Sequence, residues 1–213
     1  MYWSTIHSHR MSFYSKVIQV LLLLLPLPIC AQDEAGIRQQ IARGAASVKT
    51  LQCDFVQTKH LKMLSEALES RGRMYYRQAA QLRWEYTSPY TYTFILNGDR
   101  VLLRNSQRSD VIDTRQNSVF REIARLMLGS MTGQSLADDK TFHTTFTMRD
   151  GQWVATLVPR RKDLRQLFKK MLLYGTTVVR RVELTEKNGD TTVIELKNIR
   201  TNENISADMF TVR

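Results

Sequence analysis

The stretch LRWEYTSPYTYTFILNGDRVLL, residues 82–103, decides the fold. Leu82, Trp84 and Tyr86 are spaced by two, so on a strand they share one face. Glu85 then points to the opposite, solvent face. Pro89 ends that run. Tyr92, Phe94 and Leu96 repeat the spacing, and Asn97-Gly98 makes a tight turn into Val101-Leu102-Leu103. The pattern predicts successive antiparallel strands, each apolar on one side.

Period two continues in both directions. Upstream, Leu51, Cys53 and Phe55 alternate with polar residues, and Arg71 to Arg77 places Met74 and Tyr76 on one face. Downstream come Ser109 to Thr114, then Phe142, Thr144, Phe146 and Met148. Asp150-Gly151 turns the chain into Trp153, Ala155 and Leu157. Leu167 to Tyr174 fits helix or strand and is read as strand. Val178 to Leu184 follows, then the Asn188-Gly189 turn, then Thr192, Ile194 and Leu196. Met209 to Val212 is read as a last strand closing the sheet.

Two segments follow helical spacing instead. Asp33 to Val48 carries Ile37, Ile41, Ala45 and Val48 on one stripe, with Gly44 as a weak point. Asn117 to Met131 carries Phe120, Ile123, Leu126, Met127 and Met131, and Gly129 and Gly133 mark its end.

About eleven antiparallel strands with one greasy face must curl or split. The expected class is therefore mainly β with lid helices, an incomplete antiparallel β-barrel of about eleven strands. Two helices are too few to cover a flat sheet, but they can cover the mouth of a curved one. Such an object either fills its own core or encloses an apolar ligand. Periodicity identifies the inward face and leaves open whether that face is full or hollow.

The chain has 213 residues, 31 of them Lys or Arg against 20 Asp or Glu. Residues 1–31 read as a secretory signal: Arg10 and Lys16 precede the apolar block VIQVLLLLLPLPI, and a small residue, Ala31, offers the cleavage site. Met11 is an alternative start. The block is too short and Pro-broken to span a bilayer. Removal of residues 1–31 leaves 29 basic and 20 acidic residues, net +9, in a single domain of residues 32–213. A rival reading lipidates Cys30, although Ile29 stands where a small residue is expected. Cys53, left alone after cleavage, reads as a small buried apolar group.

Chemical signatures are missing. His60 and His143 have no metal-ligand partner at a recognised spacing, and there is no G-x-S-x-G, P-loop or dinucleotide fingerprint. Asp138-Asp139 reads as a turn. The expectation is a non-enzymatic protein without cofactor or metal. Arg160, Arg161, Lys162, Arg165, Lys169 and Lys170 crowd one stretch. They form either a solvated loop and strand edge or a contact for something anionic, such as a phospholipid surface or an acidic partner. An exported chain makes nucleic acid a poor partner.

The segment from Leu51 to Gly98 resembles the LolA-type outer-membrane lipoprotein carriers. LQCDFVQ, residues 51–57, is similar to the family's first strand, with Phe55 and Gln57 in place. Gly72 follows at the family's spacing, Trp84 and Pro89 match a W-x-x-x-x-P run, and Asn97-Gly98 matches the turn after it. The mid-chain helix, later strands and Phe210 agree in order. The resemblance implies a helix-covered half-barrel around an apolar cavity. It also implies a periplasmic monomer carrying acylated lipoproteins from an inner-membrane ABC transporter to an outer-membrane acceptor. The family's basic residue before a proline, which helps hold the lid, is replaced here by Gln78-Ala79, with Arg77 one place earlier.

On this reading Phe55, Met74, Tyr76, Leu82, Trp84, Tyr86, Phe94 and Leu96 supply acyl-binding area from strands. Phe120, Ile123, Leu126, Met127 and Met131 supply a movable wall. Two other readings compete: a related lipid- or glycolipid-binding module or lipidated receptor of the same fold, and an enzyme acting on envelope lipids.

Overall fold

A run of alternating strands this long can bury its apolar face only by bending it onto itself, and the computed structural model has that form. It describes residues 34–78, 80–132, 136 and 140–213, with backbone alone at 118, 119, 123 and 130–132. Residues 1–31, which the sequence reads as a signal and which include Cys30 and Ala31, lie outside the described residues, as do Ala79, Gly133 and Asp138-Asp139.

Helix α1 (Glu34–Ser47) leads into β1 (Thr50–His60), β2 (Leu68–Arg77), β3 (Gln81–Ser88), β4 (Tyr92–Asn97), β5 (Arg100–Asn105) and β6 (Ser109–Asp113). Helix α2 (Ser118–Thr132) separates these from β7 (Phe142–Arg149) and β8 (Gln152–Pro159). A short helix, α3 (Lys162–Leu167), precedes β9 (Phe168–Gly175), β10 (Val179–Glu186) and β11 (Thr191–Thr201), and the chain ends in a 3-10 turn, Ala207–Phe210.

The eleven strands form one sheet in the order β6-β5-β4-β3-β2-β1-β11-β10-β9-β8-β7. Every recorded pairing is antiparallel. All neighbours are sequential except β1 and β11, which join the two meanders, with Phe55 opposite Leu196. Hairpin chemistry sets the local registers. Asp150 and Gly151, both at positive φ, make the two-residue loop between Arg149 and Gln152. The Asn97-Gly98 signal sits one place off: Asn97 still pairs with Arg100, and Gly98-Asp99 is the loop.

Two apolar clusters line the concave face. One joins β7 to β10 with Ile37 and Ile41 of α1 around Trp153 and Phe168. The other joins β1 to β5 around Phe55, Met74 and Trp84. Ile194 of β11 packs against both, and α2 spans them, with Ala124 in the second and Leu126 against the first.

Three local expectations change. Met209 to Val212 is not a strand; Phe210 is buried in the 3-10 turn against the convex face with Ile95 and Leu102. The segment lies over β3 and β4 instead of extending the sheet at an edge. Leu167 ends α3, and the strand begins at Phe168. Ile37, Ile41 and Val48 are buried as the stripe predicts, but Gly44 replaces Ala45 in it, because Gly44 lies directly against the Thr177 carbonyl where a Cβ would clash.

Candidate functional site: an apolar cavity under the second helix

β4 and β9 stand six steps apart in the strand order. In a flat sheet they would be ~29 Å apart, at about 4.8 Å per step. Here both line one cavity of about 540 Å³, so the sheet is strongly curved. That volume falls within the ~300–1,000 Å³ of small-ligand sites.

One wall comes from Leu82, Trp84 and Tyr86 of β3 with Tyr92 and Phe94 of β4. The opposite wall is Phe168 and Met171 of β9, Val182 and Leu184 of β10, and Ile194 of β11. Leu126 and Met127 of α2 form the roof. Among the described residues the polar lining is Gln57, Glu186, Thr192 and the two tyrosines, and no Lys or Arg lines the space. Glu186 is held by Lys59 at 2.8 Å, which compensates the one carboxylate among the described lining residues.

The sequence-predicted residues divide by position. Leu82, Trp84, Tyr86, Phe94, Leu126 and Met127 meet at the cavity. Phe55 does not line it. Its ring crosses Gly72 of the neighbouring strand and stacks on Trp84, centroids 4.2 Å apart, with Tyr86 edge-on at 5.2 Å. It is the floor beneath the wall. Met74, Tyr76 and Leu96 are buried in the cluster behind, and Phe120 packs against that cluster. The side chains of Ile123 and Met131 lie outside the described residues. The β9 to β11 wall was missed. Its inward faces were readable from alternation, but only the curvature of the sheet through the β1–β11 junction brings them opposite Trp84.

The Tyr86 hydroxyl donates to Gln57 Oε1 at 2.9 Å. Burial pushes that hydroxyl's pKa upward, opposed by the nearby Trp84 indole N–H and by Gln57. Trp84 Nε1 is buried and has no acceptor in hydrogen-bond geometry among the described residues. An unmet buried donor costs about 1–3 kcal/mol. Cys53 is buried and its thiol is pushed up to about 12, by desolvation first and Asp54 second, so it stays protonated and unreactive at neutral pH. Among the described residues no group of three or more His, Cys, Asp or Glu could hold a metal.

The Gln78 N–H donates to the Lys49 carbonyl at 2.8 Å. Arg77 faces the convex side, bonding Gln81 at 2.6 Å with its guanidinium 5.2 Å from the Phe210 ring centre. A tie to α2 comes from the basic stretch. Arg161 reaches Glu122 of α2 at 2.9 Å and Asp163 at 2.6 Å. Asp163 first and Glu122 second keep this guanidinium firmly protonated.

A strongly bent antiparallel sheet, roofed by a helix over an apolar hollow, defines a class of small half-barrel proteins whose interior can take a hydrophobic guest. The chain belongs to the LolA family: the family model described as "Outer membrane lipoprotein carrier protein LolA" matches residues 46–213. An outer-membrane lipoprotein carrier protein of Methylococcus capsulatus is 26% identical over 194 residues, covering 89% of this chain and 90% of that one. One from Chromohalobacter salexigens is 27% identical over 194 residues, covering 88% and 87%. The crystal structure of a LolA superfamily protein from Nitrosomonas europaea aligns at a TM-score of 0.43 and 12% identity, covering 82% of this chain and 97% of that one.

Proposed function

We propose that this chain shields the acyl chains of lipoproteins inside the cavity and carries them through the periplasm. It takes them as a monomer from an inner-membrane ABC transporter and yields them to an outer-membrane acceptor. The observation that carries this reading is the hollow itself: about 540 Å³, walled by both halves of the sheet and roofed by Leu126 and Met127. A methylene is about the size of a water molecule, roughly 30 Å³, so a chain of ~16 carbons needs a volume of this order.

The energetics suit transport. Burial is worth ~0.8 kcal/mol per methylene, so exposing one such chain to water costs on the order of 10 kcal/mol. The walls offset this by contact alone, with few polar groups to fix one pose. Met127 and Met171 adapt to a disordered chain because the thioether is flexible and polarisable. The Arg161–Glu122 pair holds the roof without sealing it, since a partly exposed ion pair is worth only about 1 kcal/mol. Directional release then follows from stronger binding at the acceptor, and energy input from the donor.

Photo-crosslinking from positions 84 and 127 in intact cells tests the proposal. Acylated protein should be the main product at both. Crosslinks to water-soluble partners alone, with no acylated protein or lipid, would overturn it.

A further inference from the structure

We infer that one end of the half-barrel is a docking surface for an anionic lipid bilayer. Three segments meet there. The loop between β1 and β2 is tied to the turn between β10 and β11, because the Lys62 N–H donates to Asp190 Oδ1 at 2.8 Å. That turn is tied to α3, because the Lys187 N–H donates to the Leu167 carbonyl at 3.1 Å. Leu167 and Glu186 also line the cavity, so this end is its rim.

Apolar side chains stand out of this rim into solvent. Met63 is 95% exposed, Leu167 58%, Leu64 52% and Leu68 49%. They are four of the eight exposed large hydrophobics among the described residues. A lone exposed leucine needs no explanation, but a cluster at one mouth does.

The charge around them has one prevailing sign. Lys62 and Lys187 on the loops, Arg165 on α3 and Lys169 and Lys170 at the start of β9 form no ion pair among the described residues. Lys59 is neutralised by Glu186, Arg71 by Glu69, and Arg161 by Asp163 and Glu122. Two rim carboxylates, Glu66 and Asp190, form no ion pair among the described residues, and Asp190 is taken up by the Lys62 N–H and the Asn188 amide. Apolar tips flanked by long cationic side chains match a headgroup layer: the tips enter the acyl boundary and the ammonium groups stay at phosphate level. Docked this way, the cavity mouth faces the bilayer. The inference goes beyond cargo carriage and does not require the cavity to be filled.

The test is flotation of residues 32–213 with phosphatidylcholine vesicles, with and without phosphatidylglycerol. The protein should float with the anionic vesicles and progressively less as salt rises. Met63→Asp with Leu64→Asp should weaken binding about tenfold or more, and Lys62→Glu roughly fivefold or more. Both variants change exposed side chains, so circular dichroism should be unaltered. No flotation with anionic vesicles, or undiminished flotation of M63D/L64D, overturns the inference. Flotation only when vesicles carry an inner-membrane protein also overturns it and assigns the rim to a protein. A chain that floats yet never captures acylated protein would sink the proposed function alone.

Discussion

Gly72 governs the wall of the cavity without touching its contents. It lies opposite Phe55 on one side and Tyr86 on the other, and the Phe55 ring reaches across it to Trp84. A Cβ there would fall 2.5 Å from Phe55 Cζ and collide with the Glu85 carbonyl. Gly72→Ala should therefore cost about 1–3 kcal/mol, read as a lowered urea midpoint. An unchanged midpoint would refute the idea that Phe55 needs the bare backbone. Gly72 was visible in the sequence only as a spacing. Period two assigns a residue to a face; it does not reveal that a ring from the next strand will lie over it. The same gap placed Phe55 and Met74 among candidate cavity residues, since an inward-facing side chain can either support a wall or form its surface.

At the scale of elements, α2 is held by packing, by Arg121 donating to the Thr114 and Arg115 carbonyls, and by an ion pair from Glu122 to Arg161. Glu122 Oε2 is buried with no partner among the described residues, so the pair is imperfectly compensated. Glu122→Gln should raise hydrogen exchange throughout α2 several-fold while leaving β1 and β11 unchanged. Exchange unchanged in α2, or raised equally in the sheet, would deny the pair a role in holding the roof. The helix itself was plain in the sequence, from Phe120, Leu126 and Met127 at helical spacing. Its tether was not. Arg161 was legible as one of a crowd of cations, and only the fold selects the member that meets α2.

For the whole molecule, the two apolar clusters share Ile194 and one continuous sheet. Trp153 sits in one cluster and Trp84 in the other. Residues 32–213 should thus unfold in one cooperative step, with the fluorescence transitions of W84F and W153F each matching that variant's circular dichroism. Separate midpoints within either variant would show that the halves melt independently. Strand number and a greasy concave face were readable from alternation, and curvature followed from their count. The β1–β11 junction was not, because pairing between the ends of a chain leaves no local mark.

That junction has a consequence for timing. The wall carrying Trp84 is made early in synthesis, the wall carrying Ile194 nearly last, and β11 welds them. A nascent chain that still lacks β11 owns only an open palisade, with no hollow enclosed between the two walls. The enclosed hollow arrives all at once, when β11 (Thr191–Thr201) takes its place between β1 and β10.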